Sequence, residues 1–281
     1  MDIAVVSGKG GTGKTYFSTS LALTLENAGY IDLDVEEPNG YIFLKPDIKE
    51  NIDFTVPIPE INEEQCTFCR KCDESCTYNA ISIIPQIKKA IFFPELCHNC
   101  GVCTFVCPVE GAIREVDKKS GTIQKGVFRN GYFIEGRLNI GEPSGVPLIS
   151  GIISKHLVPD RINIIDSPPG TSCPVVESIK KSDFVIIVTE PTPFGLSDMK
   201  LILEVAKDMN KRVGVVINKD RGNDQLVKDY LKRENIPILL KIPYSVEIQK
   251  AYSKGIPLIE TVPELKPKFH NVFMDIKNGK V

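Results

Sequence analysis

Short apolar runs separated by amphipathic stretches dominate both ends of the chain. Residues 2–7 have the continuous apolar pattern of a buried strand. A helix is predicted over residues 14–27, with Gly29 placed to end it, and a second strand is predicted over residues 30–33. The N-terminal segment is therefore expected to form a strand–turn–helix–strand unit.

The same alternation returns after residue 161. Four apolar runs predict further strands, at residues 162–165, 184–188, 213–217 and 238–242. Helices are predicted between them, for example at residues 197–209 and 223–234. Apolar strands that alternate with helices are typical of a parallel sheet covered on both faces. We therefore expect an α/β fold with a doubly wound, mostly parallel sheet.

A segment of different character separates these two parts. Residues 56–60, Val-Pro-Ile-Pro-Glu, are expected to break regular structure and to mark a boundary. The cysteine-rich segment begins directly after them. We therefore expect residues 1–57 and 117–281 to form one α/β domain, and residues 58–116 to form a small α+β domain inserted into it.

Composition narrows the class of protein. A length of 281 residues, with 42% hydrophobic and 25% charged residues, is ordinary for a globular chain of one or two domains. A net charge of −2 gives no sign of nucleic-acid binding, and the strongest apolar run, residues 184–188, is too short to cross a bilayer. No charged-then-apolar leader precedes the first strand. We therefore expect a cytoplasmic protein, in which clustered cysteines usually bind metal.

A glycine-rich loop lies between the first strand and the first helix. It fits the phosphate-binding pattern G-x-x-x-x-G-K-[ST], and its residues are Gly8, Lys9, Gly10, Gly11, Thr12, Gly13, Lys14 and Thr15. Its backbone N–H groups and the helix N-terminus favour phosphate oxygens. Lys14 is expected to reach the β- and γ-phosphates, and Thr15 to ligate Mg²⁺. Tyr16 is expected to lie against the nucleotide.

Lys9 is a second lysine within the loop. The sequence Lys-Gly-Gly-x-Gly-Lys-Thr resembles the deviant Walker A motif of the MinD, ParA and Mrp ATPases and of the nitrogenase iron protein. This resemblance implies a slow ATPase that dimerises on ATP, with Lys9 reaching the nucleotide of the partner subunit. The alternative is a solvated loop lysine.

Other segments extend the resemblance. Asp32-Leu33-Asp34 through Asn39 resembles the first switch, which implies that Asp34 orients the attacking water. The run from Asp166 to Gly170 resembles the Walker B strand and second switch, which implies that Asp166 holds Mg²⁺ and that Gly170 contacts the γ-phosphate. Asn218, Pro243 and Tyr244 resemble the base-binding segments, although Asn218 could instead cap an element and Tyr244 could pack in the core. Between Gly29 and Asp32 the chain has fewer residues than the family, so either the strand is short or residues are missing there.

Eight of the nine cysteines form a repeat with an offset of 31 residues. Each copy has the spacing C-x₂-C-x₂-C-x₃-C of bacterial two-cluster ferredoxins. Because the fourth cysteine of such a run ligates the other cluster, two [4Fe–4S] ligand sets are predicted: Cys66, Cys69, Cys72 and Cys107, and Cys76, Cys97, Cys100 and Cys103. Zinc is the alternative metal. His98 lies between two ligands and is expected at the surface.

The order of motifs resembles that of MinD-superfamily ATPases with an inserted ferredoxin domain. Three functions are compatible with it: electron transfer gated by ATP, iron–sulfur cluster delivery of the Mrp type, and spatial positioning of the MinD type. The redox partner or client protein is not indicated. The C-terminal residues Phe269, Val272, Phe273 and Ile276 are expected to pack on the sheet as a last helix. Cys173 is expected to be a buried apolar residue that holds no permanent cluster.

Overall fold

The computed structural model describes residues 1–129 and 131–281. Its strands are β1 (Asp2–Val6), β2 (Ala28–Asp32), β3 (Asp47–Ile61), β4 (Ile81–Ile84), β5 (Lys89–Phe92), β6 (Ile113–Phe128), β7 (Gly131–Leu138), β8 (Ile162–Asp166), β9 (Phe184–Thr189), β10 (Arg212–Asp220) and β11 (Ile238–Pro243). Its helices are α1 (Lys14–Thr24), α2 (Gly40–Leu44), α3 (Lys71–Glu74), α4 (Val102–Val106), α5 (Val146–Lys155), α6 (Cys173–Lys180), α7 (Pro193–Asp208), α8 (Gln225–Arg233), α9 (Val246–Tyr252), α10 (Leu258–Thr261) and α11 (Leu265–Lys277).

Within the described residues, one sheet has the strand order β11-β10-β9-β1-β8-β2-β7-β6-β3. Neighbouring strands from β11 to β7 all pair in parallel. A separate hairpin is formed by β4 and β5, which pair antiparallel. The predicted mostly parallel α/β sheet is thereby confirmed.

The core lies on both faces of the sheet. Along β1, Ile3 and Val5 belong to one apolar cluster, whereas Ala4 and Val6 belong to another. Since alternate side chains of a strand point to opposite faces, both faces of β1 are covered. This explains why the strand is a continuous apolar run instead of an alternating one.

The chain divides into two compact units. The first contains Met1–Ile52, Ile123–Arg137 and Ile149–Val281, and the second contains Asp53–Thr122 and Leu138–Leu148. The first unit holds the parallel strands β1, β2 and β8–β11. The second unit holds the β4–β5 hairpin and the short helices α3 and α4, together with the cysteine repeat. The predicted boundaries at residues 58 and 116 stay a prediction.

The turn before β2 differs from the sequence expectation. Helix α1 ends at Thr24, Asn27 takes the left-handed conformation with φ 54°, and β2 begins at Ala28. Gly29 therefore does not end the helix but lies inside β2. A Cβ atom at Gly29 would lie 1.9 Å from the ring of Tyr132, so close packing requires glycine there. The early start of β2 gives this strand five residues despite the short spacing.

Residues 56–60 also differ from the expectation, because they do not break regular structure. They lie inside β3, a 15-residue strand. In the strand order β3 is an outer member of the sheet, where a proline that lacks an N–H is tolerated. The two prolines of this run therefore failed to indicate the end of an element.

The last helix packs as predicted. Phe269, Val272, Phe273 and Ile276 of α11 are buried, none more than 5% exposed. These four residues belong to the apolar cluster on one face of the sheet. Among the described residues, no helix has the length and apolar character that a bilayer span requires.

Candidate functional site

A cavity of about 470 Å³ lies in the first unit, next to the glycine-rich loop. This volume is within the usual range for small-molecule sites. It brings together most of the nucleotide-binding residues predicted from sequence: Gly10, Gly11, Thr12, Gly13, Lys14, Thr15, Tyr16, Asp34, Asn39, Asn218, Pro243 and Tyr244. The remaining predicted residues are not among the described lining residues: Gly8 and Lys9 of the loop, Asp166 at the end of β8, and Gly170.

The loop presents the N-terminus of α1 to this cavity. Gly13 is the N-cap residue and has φ 91°, a left-handed conformation that favours glycine. A Cβ atom at Gly13 would lie 2.2 Å from Asn218 Nδ2, so the loop can approach Asn218 only because this residue is glycine. In the part of the chain that the structure describes, no side chain caps α1. Its first N–H groups are therefore available to an anion.

Lys14 and Asp166 form a buried ion pair beneath the loop. Lys14 Nζ lies 2.8 Å from Asp166 Oδ1, and the two side chains are 6% and 0% exposed. The other oxygen, Asp166 Oδ2, accepts a hydrogen bond of 2.8 Å from the hydroxyl of Tyr30. Burial and the neighbouring carboxylate of Asp166 hold the pKa of Tyr30 well above its usual value, so Tyr30 stays a donor. Asp166 therefore has a fixed position at the end of β8.

Asp32 shapes the loop that carries Asp34. Its carboxylate accepts hydrogen bonds from the backbone N–H groups of Asp34 at 3.1 Å, Asn39 at 3.2 Å and Gly40 at 2.9 Å. Burial, followed by the nearby Asp166, raises the pKa of Asp32 well above its usual range. Asp32 therefore has a structural role: its hydrogen bonds to the loop backbone hold Asp34 at the cavity.

Together with Glu37 of the same loop, Asp34 lines the cavity. Burial raises its pKa to about 6, partly opposed by the positive charge of Lys14 and assisted by the negative charge of Asp166. A carboxylate in this range can gain or lose a proton near neutral pH. Its position and its pKa are both compatible with orienting a water molecule and accepting a proton from it.

The predicted base-binding residues are held by the protein itself. Asn218 Nδ2 donates to the carbonyl of Thr12 at 2.7 Å, and Asn218 Oδ1 accepts from the N–H of Lys219 at 2.9 Å. The ring of Tyr244 lies under the guanidinium of Arg221, with 3.6 Å between the guanidinium carbon and the ring centroid. Asn218 therefore ties the loop to β10, while Tyr244 presents an aromatic surface to the cavity.

Gly170 is likewise engaged by the protein. Its N–H donates to the carbonyl of Ser7 at 2.9 Å, and it has φ 100°. Contact between Gly170 and a γ-phosphate, as expected from sequence, would require this hydrogen bond to break. The role of Gly170 stays a prediction.

Sequence reasoning missed three residues near the loop. Tyr30 supports Asp166, as described above, and Glu190 accepts from Lys219 at 2.6 Å and lies 3.8 Å from Lys9. Glu190 follows the last residue of β9, and Lys219 lies near the end of β10. Since ligands bind at the carboxyl ends of parallel strands, polar residues at these two positions were the available signal.

The second unit contains two small cavities, each lined by four of the repeat cysteines. One is lined by Cys66, Cys69, Cys72 and Cys107, and the other by Cys76, Cys97, Cys100 and Cys103. In each cavity, three cysteines come from one copy of the repeat and the fourth comes from the other copy. The structure therefore brings the cysteines together in the two sets that were predicted from their spacing.

The environment of these thiols fits ligands of an iron–sulfur cluster. The N–H groups of Phe68 and Ala80 donate to the sulfur atoms of Cys66 and Cys76, each at 3.3 Å. Hydrogen bonds to cluster sulfurs are one way in which proteins tune such clusters. A backbone hydrogen bond from Lys71 lowers the pKa of Cys69. Burial raises the pKa of Cys72 to about 11, which favours a thiol there unless a cation is bound.

No single-metal site is formed by the described side chains. Within residues 1–129 and 131–281, no group of three or more His, Cys, Asp or Glu side chains is placed to hold a metal ion. The identity of the metal that the cysteines bind, a cluster or zinc, therefore stays a prediction.

Cys173 and His98 are both accessible to solvent. Cys173 is exposed at the first residue of α6, so the expectation of a buried apolar cysteine is wrong. Cys173 lies where the preceding loop joins α6, outside the core, and this accounts for the exposure of its side chain. His98 is partly exposed, and its ring stacks on that of Tyr78 with 3.8 Å between centroids.

The chain was compared with known families and proteins. A profile of the family described as the CobQ/CobB/MinD/ParA nucleotide binding domain matches residues 3–258. An uncharacterized protein of Methanocaldococcus jannaschii is 34% identical over 264 residues, which cover 91% of this chain and 90% of that protein. An uncharacterized ATP-binding protein of the same organism is 29% identical over 291 residues, covering 99% of each chain.

A more distant relative is named for iron–sulfur clusters. The iron-sulfur cluster carrier protein of Rickettsia typhi is 26% identical over 278 residues, which cover 91% of this chain and 65% of that protein. Its name describes that protein, and the match alone does not transfer the activity.

Solved structures show the same fold. The cell division ATPase MinD of Pyrococcus furiosus superposes with a TM-score of 0.57 at 19% identity, covering 99% of this chain and 98% of that one. The septum site-determining protein MinD of Pyrococcus horikoshii, complexed with Mg-ADP, superposes with a TM-score of 0.54 at 20% identity, covering 96% and 93%. At these identities the likeness concerns the fold alone.

Proposed function

Because this chain belongs to the CobQ/CobB/MinD/ParA nucleotide-binding family, we propose that it is a dimer-dependent ATPase that couples nucleotide state to electron transfer through two [4Fe–4S] clusters. The observation that carries the redox part is the division of the eight cysteines between two cavities. Residues 58–116 would form the cluster-binding domain, and residues 1–57 and 117–281 the ATPase domain.

ATP binding is supported by the cavity beside the loop. The N-terminus of α1 and Lys14 offer positive charge for the phosphates. Thr15 and Asp166 are the residues that would hold Mg²⁺, and Tyr244 offers a ring for the base. On binding of Mg-ATP, Lys14 would move from Asp166 to the phosphates. The ion pair between Lys14 and Asp166 would thus be exchanged for contacts of Lys14 with the phosphates and of Asp166 with Mg²⁺.

Dimer dependence is supported by the exposure of Lys9. Lys9 belongs to the same loop as Lys14, yet it lies near Glu190 and is not among the described lining residues of the cavity. Its side chain is 39% exposed. A partly exposed lysine at the edge of the phosphate loop is available to the nucleotide of a second copy, as the deviant Walker A resemblance implies.

Hydrolysis is assigned to Asp34. It lines the cavity, and the hydrogen bond of its N–H to Asp32 fixes its loop. Its raised pKa of about 6 leaves it mainly ionised at neutral pH, when it can orient an attacking water and accept its proton.

The two clusters would supply one-electron chemistry. The protein contributes the ligands, the N–H hydrogen bonds to Cys66 and Cys76, and the partial burial of Cys72. Three ligands from one copy of the repeat and one from the other match the pattern of two-cluster ferredoxins. Such an arrangement favours two permanent clusters over one labile cluster.

A second function, delivery of iron–sulfur clusters to other proteins, is favoured by the similarity to the Rickettsia carrier protein. A carrier of the Mrp type holds its labile cluster between two subunits, and no cysteine follows Cys173 in this chain. MinD-type membrane positioning has less support, since the apolar face of α11 is buried.

Anaerobic purification with iron, sulfide and ATPase assays tests the proposal. We expect about eight irons per chain and ATP turnover that rises with protein concentration. Zinc in place of iron would contradict the redox function. Loss of clusters to an apo-ferredoxin, at a rate that ATP accelerates, would favour the carrier function.

A further inference from the structure

The carboxylate of Glu190 lies between two lysines at the edge of the phosphate loop. Its Oε1 accepts a hydrogen bond from Lys219 Nζ at 2.6 Å, and its Oε2 lies 3.8 Å from Lys9 Nζ. The Glu190 side chain is only 16% exposed, against 39% for Lys9 and 40% for Lys219. One partly buried carboxylate therefore pairs with two cations.

The backbone that carries Glu190 has a fixed position. Its carbonyl accepts a hydrogen bond of 2.8 Å from the N–H of Thr192. A Cβ atom at Gly195 would lie 2.3 Å from the same carbonyl, so the start of α7 packs directly on it. The backbone that carries the carboxylate is therefore held between the end of β9 and the start of α7.

Lys219 connects this carboxylate to the loop. Its Nζ also donates to the carbonyl of Gly11 at 2.7 Å. Lys219 has φ 56°, a left-handed conformation that lysine rarely adopts. Lys219 lines the nucleotide cavity, whereas Lys9 does not. The two lysines thus share one carboxylate, although only Lys219 is among the described lining residues of the cavity.

Resting on the proposed dimeric ATPase, we propose that Glu190 is a positioning residue that retains Lys9 on its own subunit until a second copy carrying ATP replaces the contact. For Lys9 to reach phosphates on another subunit, its contact with Glu190 must lengthen or break. Lys219 then remains as the cation partner of Glu190, so the carboxylate is not left uncompensated. Because a partly exposed ion pair is weak, the retention is easily reversed by nucleotide.

Glu190→Gln removes the charge and keeps the shape, so it tests this role directly. In the protein without added nucleotide, we expect Lys9 to be acylated by an N-hydroxysuccinimide ester about two- to fivefold faster in E190Q than in wild type, as measured by mass spectrometry. Glu234→Gln is the matched control, since Glu234 also pairs with two cations, Lys207 and Arg233, away from the loop. E234Q should leave the rate at Lys9 unchanged.

Dimerisation gives the second readout. With Mg and a non-hydrolysable ATP analogue, analytical ultracentrifugation should show a dimer dissociation constant about two- to fivefold lower in E190Q. In a Lys9→Ala background, adding E190Q should change this constant no further, because the retained group is gone. A structural or general electrostatic role of Glu190 would give the same change in both backgrounds.

The outcomes separate this proposal from the proposed function. Equal acylation of Lys9 in E190Q and wild type would overturn the retention role, whatever the ATPase activity. Faster acylation with an unchanged dimer dissociation constant would overturn its link to dimerisation. Faster acylation of Lys9, tighter dimerisation and no ATP turnover would support the role of Glu190 and contradict the proposed hydrolysis.

Discussion

Lys14 Nζ lies 2.8 Å from Asp166 Oδ1, and both side chains are almost completely buried. The phosphate-binding lysine thus has an internal partner, which is the predicted Mg²⁺-holding aspartate. The strand register places Asp166 of β8 directly beside Asp32 of β2. Lys14 is therefore the ion-pair partner of Asp166 in a site that also buries Asp32.

Removing Lys14 should destabilise the protein in the absence of nucleotide. Lys14→Met leaves Asp166 buried with Tyr30 as its remaining hydrogen-bond donor, so we expect a loss of about 3–5 kcal/mol in the free energy of unfolding. Urea denaturation measures this quantity. The double variant K14M/D166N should lose less than K14M alone, since the uncompensated charge is removed.

The control for this prediction is Lys49→Met, which breaks an exposed pair with Asp47. K49M should have little effect on the free energy of unfolding. Similar losses in K14M and K49M, or additive losses in K14M/D166N, would show that the buried pair does not have the role assigned to it.

Asp34 should make stability depend on pH. Its pKa is about 6 in the folded protein, above the ordinary value of 3.8, so the folded state binds more protons between these values. Stability must therefore fall as pH rises from about 4 to 6 on account of this group. Asp34→Asn removes the effect, and its stability relative to wild type should rise by roughly 1–3 kcal/mol between pH 4 and 7.

Urea denaturation at several pH values without nucleotide measures this difference. Glu36→Gln, which removes an exposed carboxylate from the same loop, provides the reference for a general loss of charge. A difference between D34N and wild type that stays constant from pH 4 to 7 would refute a buried, perturbed Asp34.

Paired cysteine variants should reveal the ligand sets. If Cys76 serves the same cluster as Cys97, the variant C76S/C97S loses one cluster and keeps about four irons per chain, whereas C72S/C76S loses both. If each copy of the repeat held its own cluster, the two results would be exchanged. Anaerobic iron analysis distinguishes them.

Cys173→Ser should keep about eight irons per chain, because this exposed cysteine lies outside the cysteine repeat.

The two lysines of the loop should differ in their effects. Lys14→Ala should weaken binding of a fluorescent ATP analogue about tenfold or more, because the phosphates lose a charged donor. Lys9→Ala should change binding by less than about threefold but lower turnover at least about tenfold, because its contact forms in the dimer. Wild-type turnover in K9A would contradict the deviant Walker A assignment.

The phosphate loop and the parallel strands other than β7 could be predicted because their signals are local. The glycine spacing and the continuous apolar runs depend on backbone geometry and on burial of both sheet faces. Strands β3, β4, β5, β6 and β7 were not predicted. β3 carries alternating exposed residues and two prolines, which resemble a loop when the edge position of the strand is unknown.

Parts of the site could not be predicted because they depend on tertiary contacts. Glu190 and Lys9 are 181 positions apart in sequence, and only the fold brings them together. The bonds of Asn218 to the loop and of Gly170 to Ser7 are likewise non-local. By contrast, the division of the cysteines follows from spacing, since three ligands within seven residues leave the fourth out of reach.

An EPR-monitored redox titration tests the coupling of nucleotide to electron transfer most directly. The protein is titrated anaerobically with Mg-ATP, with Mg-ADP and without nucleotide, using Asp34→Ala to prevent hydrolysis and Lys14→Ala as a variant impaired in binding. We predict signals from two [4Fe–4S] clusters and a shift of about 30–60 mV in at least one reduction potential with Mg-ATP at a concentration near the wild-type dissociation constant, where K14A stays mostly unoccupied and lacks the shift. The absence of cubane signals, or identical potentials in all three conditions, would contradict the account.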